Sequence, residues 1–431
     1  MKGLSIMILV SALITSLCFA QSNWQAENSG TNYPLNGVSF VDENNGWVSG
    51  WAGIVLHTTN GGQTWRLQNT AANYGLYCVF FTDLQNGWAA GYGGEVVHTT
   101  DGGETWTSQD ISSYDDINRL FFIDASRGWA VGGYYDIMTG FSARAIYSTT
   151  DGGSNWNVQY RMSYEPELHS VRFTDGDTGY AAGGSAILKT TDSGNNWFVE
   201  QNLPSFDLSD VFFTSSTTGF VAGEYEGVPH YSSVFRTTDG GNNWNQTSLG
   251  TNEALAGLYF TDELNGWAVG NDFSGGNNLA LIYRTTDGGN NWMKQSIPSF
   301  DALASVSFID GTKGWAVGHL GTIISTEVTT SVGSSSRPTE FTLSQNYPNP
   351  FNPSTRIKFD LPEASTVSLI IYDVLGRQVA QLATGYHEAG YHSVTWNASN
   401  QASGIYFARF NVTDAQGNIK YMKVNKLVLM K

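Results

Sequence analysis

The sequence predicts an all-β protein, with a seven-bladed β-propeller followed by a small Ig-like β-sandwich. Three observations support this fold class. An eight-residue segment, first seen as Thr58 to Trp65, occurs six times, with its tryptophans 41 to 50 residues apart. A Gly-aromatic-x-x-Gly element and the apolar strand before it each occur seven times, and repeats of about 40–50 residues are typical of propellers and other repeat arrays. After residue 337 the repeat ends, and short apolar strands alternate with turns, as in a sandwich.

The chain begins with a segment that is typical of secretory signals. Lys2 provides a positive charge, residues 6–17 are mostly apolar, and Ala20 ends a stretch suited to cleavage. We therefore predict a signal peptide over residues 1–20, because the apolar run is too short for a membrane span. Its removal leaves Cys78 as the only thiol, and this cysteine is expected to be buried in an apolar strand.

Each repeat contains four short strands: an apolar strand, the Gly-aromatic-x-x-Gly strand, a strand leading into the eight-residue segment, and a strand after its tryptophan. Seven such units predict a seven-bladed propeller over residues 21–328. The seventh unit lacks the eight-residue segment and the strand after it, whereas residues 23–28 resemble that missing strand. We therefore predict that residues 23–28 complete blade seven, which closes the ring and removes a free sheet edge.

The eight-residue segment has the pattern Thr-x-Asp-x-Gly-x-x-Trp. Its glycine permits a tight turn, its Asp accepts backbone hydrogen bonds, and its Trp holds the turn against the next strand. The segment resembles the Asp-box, or bacterial neuraminidase repeat, of several propeller families. The acidic position is expected to be structural in every blade: Asn60, Asp101, Asp151, Asp192, Asp239 and Asp287. A calcium loop needs several oxygen ligands, and each box offers one carboxylate at most, so no metal and no cofactor are expected.

A basic residue often occurs two residues before the second threonine of the box, as in His57, His98, Lys189, Arg236 and Arg284. This position repeats with the blade and has no neighbouring Cys or His that would complete a metal site. We therefore expect it to lie on a solvated strand face.

Residues 329–337 have the composition of a flexible linker, and residues 338–431 form the predicted sandwich. Its first motif contains Tyr347, Pro348, Asn349, Pro350, Phe351 and Asn352, and further motifs follow at 371–377, 403–406 and 423–431. In this order the motifs resemble the type A C-terminal sorting domain of the type IX secretion system. The resemblance implies a secreted or outer-surface protein with the type IX secretion machinery as a partner. Cleavage of this domain after export stays open.

The repeats of residues 21–328 resemble the photosystem II stability/assembly factor family, and they are also similar to repeats of xyloglucan-cleaving glycosidases and sialidases. The shared motifs are scaffold motifs, so the resemblance implies a fold rather than an activity. Three functions stay open: a secreted or cell-surface binding propeller, a glycoside hydrolase, and an assembly-factor-like periplasmic scaffold. The sorting domain favours the first over the third, because it implies transport out of the cell.

The charge of the chain is strongly asymmetric. Residues 21–337 carry 12 basic and 32 acidic residues, a net charge of −20, whereas residues 338–431 carry a net charge of +2. The propeller would therefore repel phosphate backbones, and no nucleic-acid partner is expected.

The blades differ most in the connection between their second and third strands, which is long in blades three, five and six. In a four-stranded blade this connection lies on the same face as the connections between blades, opposite the Asp-boxes. Loops held by a rigid scaffold often carry function. We therefore predict an aromatic and acidic rim that binds a glycan or a protein: Tyr134, Tyr135, Asp136, Glu224, Tyr225, Asp272, Phe273, Asp116, Asp207 and Asp301.

No catalytic residue is assigned. A two-carboxylate glycosidase is possible because acids are plentiful, but Asp207 and Asp301 occupy identical Pro-Ser-Phe-Asp turns. Identical surroundings argue against the different pKa values that an acid and base pair requires. The sialidase pattern is also incomplete, because the chain has no Arg-Ile-Pro motif.

Overall fold

A computed structural model of the protein describes residues 23–111, 115–136, 138–297, 300–327, 338, 340–346, 349–351, 353–387, 389–413 and 418–430. The predicted signal peptide (1–20) and linker (329–337) lie outside these residues. Across the described ranges, no helix has the length and apolarity needed to cross a bilayer.

Residues 23–327 form seven antiparallel sheets of four strands each, arranged as the blades of a propeller. Blades one to six use consecutive strands, from β2–β5 to β22–β25. The strands are β1 (Asn23–Glu27), β2 (Leu35–Phe40), β3 (Gly46–Gly50), β4 (Val55–Thr58), β5 (Arg66–Gln68), β6 (Leu76–Phe81), β7 (Gly87–Gly91), β8 (Glu95–Thr99), β9 (Thr107–Asp110), β10 (Asp116–Phe122), β11 (Gly128–Asp136), β12 (Phe141–Thr149), β13 (Asn157–Ser163), β14 (Ser170–Phe173), β15 (Gly179–Gly183), β16 (Ala186–Thr190), β17 (Phe198–Asn202), β18 (Phe206–Phe213), β19 (Gly219–Tyr225), β20 (Tyr231–Thr237), β21 (Asn245–Thr251), β22 (Glu253–Phe260), β23 (Gly266–Asp272), β24 (Leu279–Thr285), β25 (Met293–Lys294), β26 (Leu303–Phe308), β27 (Lys313–Gly318) and β28 (Ile323–Glu327).

Blade seven is completed by the N-terminal strand, as predicted. Its strand order is β1-β28-β27-β26, and β1 pairs antiparallel with β28 from Asn23 opposite Glu327 to Glu27 opposite Ile323. Trp24 is 3% exposed and packs edge-on against Phe308, with ring centroids 6.0 Å apart. Each box tryptophan makes the same edge-on contact with the first strand of its own blade, as Trp106 does with Phe81. Trp24 therefore takes the place of the missing seventh box tryptophan.

The blades are joined by aromatic stacks that continue around the ring. The aromatic residue of each Gly-aromatic-x-x-Gly strand stacks on a phenylalanine in the first strand of the next blade. The ring centroids of Trp47 and Phe81 are 3.6 Å apart between blades one and two, and those of Trp315 and Phe40 are 3.5 Å apart between blades seven and one. Trp315 also donates a hydrogen bond from Nε1 to the Gly61 carbonyl at 3.0 Å. The same local sequence thus builds each blade and attaches it to the next.

The C-terminal region consists of two packed sheets, in the orders β29-β30-β33 and β32-β31-β34-β35. Apolar side chains from both sheets form a separate core that includes Phe359, Leu369 and Phe410. This arrangement fits the predicted Ig-like sandwich. Its strands are β29 (Thr342–Leu343), β30 (Ser354–Leu361), β31 (Ser365–Asp373), β32 (Gln378–His387), β33 (Gly390–Asn397), β34 (Gly404–Thr413) and β35 (Ile419–Leu429).

The propeller has two distinct faces. The Asp-box turns lie beside the turns that join the first and second strands, since Gly61 N–H donates to the Asn44 carbonyl and Gly102 N–H to the Gln85 carbonyl. We call this side the box face. We call the opposite side, which carries the second-to-third strand and inter-blade connections, the loop face. The C-terminal sandwich contacts the box face, where Arg356 pairs with Asp310 at 3.3 Å.

Candidate ligand-binding rim

The Asp-boxes are hydrogen-bonded turns. In blade two, the Thr99 hydroxyl donates to the Asp101 carboxylate at 2.8 Å and accepts the Gly103 N–H at 2.8 Å. Asp101 also accepts the Thr105 hydroxyl at 2.6 Å and its N–H at 2.9 Å. These bonds, led by the Thr105 hydroxyl, lower the pKa of Asp101 to about 2. Asn60 and the other box aspartates accept equivalent bonds from their own turns: Asp151, Asp192, Asp239 and Asp287.

The expectation that the basic position before the box is a solvated face is wrong. His57 stacks on Trp47, with ring centroids 4.5 Å apart, and Arg284 lies 5.3 Å over the ring of Trp267. Burial lowers the pKa of His57 and that of Arg284. His98 stacks on Trp88 and Lys189 lies over Tyr180 in the same way. In these four blades the side chain before the box covers the aromatic ring that joins neighbouring blades, so it belongs to the packing of the propeller.

The long connections of the loop face are extended hairpins and not open loops. The ladder of blade three continues to Asp136 opposite Phe141, and that of blade five to Tyr225 opposite Tyr231. In blade six, Asp272 lies opposite Leu279. The inserted residues continue the alternation of the strands, so their side chains are held by cross-strand neighbours. The strand ladders of these three blades therefore extend into the predicted rim.

A cluster of carboxylates and imidazoles lies on the loop face at blades four to six. Asp207 is the cross-strand partner of Glu224. Glu224 pairs with His230 at 3.1 Å, and Asp207 lies 3.7 Å from His169. Burial raises the pKa of Glu224 above its ordinary value, and the neighbouring Asp207 acts in the same direction. Phe273 extends the cluster to blade six, because its ring lies 5.1 Å from that of His230.

Asp272 and Asp116 are held by neighbouring groups. Lys294 donates to Asp272 at 2.6 Å and to the buried Glu253 at 2.7 Å, and its bond lowers the pKa of Asp272 to about 2. Asp116 accepts the Gly93 N–H at 2.8 Å, and burial raises its pKa. Both carboxylates therefore help to shape the rim.

Asp136 and Asp301 lie outside the cluster of carboxylates and imidazoles. Asp136 accepts the Met138 N–H at 2.8 Å and the Thr139 hydroxyl at 2.7 Å within its own turn. Asp301 forms an isolated bridge with Leu279 of blade six. The identical turns of Asp207 and Asp301 thus have different partners.

The predicted aromatic residues differ in exposure. Tyr135 is 60% exposed, whereas Tyr134 packs toward Phe141 at 6.3 Å. Tyr225 stacks on Tyr231 at 4.9 Å and is half-buried. Tyr135 is therefore the most exposed aromatic residue of this set.

A second group of exposed aromatic residues lies on the loop face, and it includes Trp51 and Tyr92, which are not among the predicted rim residues. Trp51 and Tyr92 occupy short 3-10 turns between the second and third strands of blades one and two. Tyr74 lies between these blades, 5.4 Å from Tyr92, and all three side chains are more than half exposed. Their sequence signal is position: Trp51 and Tyr92 directly follow the last glycine of the Gly-aromatic-x-x-Gly element. We call Trp51, Tyr74 and Tyr92 the aromatic strip.

The described residues of the sorting motif, 349–351, contribute to the sandwich core. The Phe351 ring is buried, and its backbone forms hydrogen bonds with Val428 and Met430. Asn349 accepts the Val428 N–H at 2.8 Å. These bonds attach the motif to the last strand. Tyr347, Pro348 and Asn352 lie outside the described residues.

The propeller, its Asp-boxes and the C-terminal motif define an exported Asp-box β-propeller protein. The chain belongs to the family described as photosynthesis system II assembly factor YCF48, whose model matches residues 18–163 and 236–349. Residues 345–424 match a secretion system C-terminal sorting domain. This domain directs the protein to the cell surface or the medium and implies interaction with the secretion machinery.

Solved structures support the fold. YCF48 bound to D1 peptide is 18% identical, with a TM-score of 0.56 over 74% of this chain and 99% of that chain. YCF48 from Cyanidioschyzon merolae is 19% identical, with a TM-score of 0.54 over 71% and 98%. The Niastella koreensis GH74 enzyme is 13% identical, with a TM-score of 0.57 over 94% and 67%. No curated protein matches the chain.

Proposed function

We propose that this protein is an exported binding propeller that holds a segment of another protein on its loop face. The observation that carries the proposal is the convergence of exposed aromatic rings and carboxylates on this face. The aromatic strip offers ring surfaces to apolar side chains, while Asp207 and Glu224 attract Lys and Arg. The net charge of −20 over residues 21–337 favours a basic partner.

Two further points support a peptide-like ligand. The box face is engaged by Asp-box turns and by the C-terminal sandwich, as the Arg356–Asp310 pair illustrates. A structural relative, YCF48, has been solved with a D1 peptide, so this fold can present a surface to a peptide. The assembly-factor-like periplasmic scaffold is the less favoured alternative, because the sorting domain directs this chain outward.

Binding can be tested with the full chain on a surface, using soluble peptides that combine Lys or Arg with aromatic residues. Acidic peptides of the same length and a glycan array provide the comparison. We expect basic peptides to bind and their binding to weaken when salt is added. Tyr135→Ser and Asp207→Asn should reduce binding, whereas Leu67→Ser, on an exposed outer strand, should not. Selective glycan binding, or equal binding by all variants, would reject the proposal.

The pH dependence provides a second test. A basic peptide needs ionised carboxylates, and the raised pKa of Glu224 means that this group gains its proton at a higher pH than usual. Affinity should therefore decrease from neutral to mildly acidic pH, and Glu224→Gln should flatten this decrease.

A glycoside hydrolase is a second candidate, favoured by one observation. Directly opposed residues of antiparallel strands have Cβ atoms about 4.5–5.5 Å apart, and retaining glycosidases place two carboxyl groups about 5–5.5 Å apart. Asp207 and Glu224 are directly opposed residues, which brings their side chains close together, and the raised pKa of Glu224 suits a general acid. Release of reducing ends from xyloglucan or related glucans, lost in Glu224→Gln but kept in Glu226→Gln, would support hydrolysis. Wild-type protein without any product would reject it.

A further inference from the structure

A collar of large side chains surrounds the box-face end of the propeller channel. Each blade contributes the first-strand residue that pairs with the aromatic residue of the Gly-aromatic-x-x-Gly element. In blades two to six these residues are Phe80, Phe121, Arg172, Phe212 and Tyr259. All five line one cavity of about 1120 Å³. Arg172 is the one cation in this set, and it lies at the middle of the aromatic wall.

The other two blades leave room in the channel. Blades one and seven have Ser39 and Ser307 at the equivalent position, and both line the same cavity. The collar is therefore bulky on one side and small and polar on the other. A cavity of this kind, mainly apolar with a few polar groups, is typical of small-molecule sites.

The guanidinium group of Arg172 is held by aromatic rings. Its central carbon lies 4.3 Å from the centre of the Phe212 ring and 5.2 Å from that of Phe121. These contacts fix the position of the charge. Among the described residues, no carboxylate oxygen lies within 4.0 Å of the Arg172 guanidinium nitrogens.

The other two arginines that line the cavity are neutralised. Arg119 pairs with the buried Asp210 at 3.0 Å, and Arg356 of the sandwich pairs with Asp310 at 3.3 Å. Arg172 is thus the arginine of the cavity whose charge is left for a ligand.

Carboxylates at the mouth of the cavity face their own turns. Asp42 accepts the N–H groups of Asn44 and Asn45 at 2.8 and 2.7 Å, and Asp83 and Asp175 accept equivalent bonds. Their negative charge is therefore partly satisfied locally and does not occupy Arg172.

The C-terminal sandwich forms part of the cavity wall. Pro353, Arg356 and Met430 line it together with the propeller strands. Met430 Cε also lies 3.6 Å from the position that a Cβ on Gly176 would take in blade four. The sandwich therefore restricts the box-face entrance.

We propose that this collar is a second binding site, separate from the rim, for a small apolar molecule with one anionic group. The anion pairs with Arg172, and the apolar part lies against the aromatic wall. The side with Ser39 and Ser307 gives the molecule space, and the sandwich covers it.

The test uses two fluorescent probes that differ by one charged group: anilinonaphthalene sulfonate and its uncharged analogue N-phenylnaphthylamine. With the full chain we expect saturable binding of both. Arg172→Met should weaken the sulfonate about tenfold or more, since a hydrogen bond to a charged group is lost, and should change the uncharged probe little. Arg172→Lys should restore part of the sulfonate affinity.

Matched variants locate the site. Arg66→Met removes an exposed arginine on an outer strand and should leave both probes unchanged. Glu224→Gln on the rim should also leave them unchanged, which separates this site from the proposed peptide site. Absence of saturable sulfonate binding, or an equal effect of Arg172→Met on both probes, would overturn the proposal.

Discussion

Replacement of Trp24 tests whether the N-terminal strand holds the ring closed. Trp24 is 3% exposed, and its indole N–H has no hydrogen-bond partner among the described residues. Its contribution is therefore packing, including the edge-on contact with Phe308. Truncation of a buried tryptophan to alanine costs about 3–5 kcal/mol. We expect Trp24→Ala to lower the free energy of unfolding by about this amount, as measured by guanidinium denaturation.

Two other tryptophans serve as controls for this measurement. Trp106 is 8% exposed and makes the same edge-on contact inside a continuous blade, so Trp106→Ala should cost a similar amount. Trp51 is 54% exposed, and Trp51→Ala should stay within about 0.5 kcal/mol of the wild type. Hydrogen exchange in β28 should also accelerate in Trp24→Ala. If Trp24→Ala behaves like Trp51→Ala, closure by residues 23–27 does not stabilise the propeller.

Three further predictions concern individual polar groups. Thr99→Val leaves the Gly103 N–H without its acceptor and should cost about 1–3 kcal/mol in chemical denaturation; an unchanged midpoint would contradict this. Lys294→Met should raise the pKa of Asp272 from about 2 toward its ordinary value, observable by carboxyl NMR titration. In the wild type, the lowered pKa of Asp272 stabilises the fold at pH values above the unfolded-state pKa of about 3.9, and this stabilisation is lost as the pH falls toward 2. The variant should therefore lose that pH dependence of its free energy of unfolding. Cys78 is buried, and burial raises its pKa to about 11, so a thiol reagent should label it only after unfolding.

The propeller could be predicted because its information is local and repeated. The apolar strand, the Gly-aromatic-x-x-Gly strand and the box each occupy a short stretch, and each recurs in nearly every blade. Even ring closure had a local signal, since the residues around Trp24 copy the strand after the box. The same holds for the box aspartates, whose hydrogen bonds join residues no more than four positions apart, as in Asp101 to Thr105.

The rim was predictable as a surface but not as a set of contacts. The topology of a blade fixes which connections share the loop face, so Tyr135 and Asp207 could be assigned to it. The pairing of Asp207 with Glu224 depends on strand register, and the contact of His230 with Phe273 joins two blades. The aromatic strip is not predicted by differences in loop length, because Trp51 and Tyr92 lie in short connections and the predicted rim rests on the long ones.

The sequence by itself determined seven blades, their closure and the export signal at the C-terminal end, because each follows from short-range patterns or motifs. Only the tertiary structure decided which charges are neutralised. Arg119 and Arg172 look alike in sequence, yet one reaches Asp210 two blades away and the other stacks between Phe121 and Phe212. Likewise, the contact of the sandwich with the box face depends on groups far apart in the chain, such as Asp310 and Arg356. Electrostatic interactions depend on distance in space, which a linear pattern does not contain.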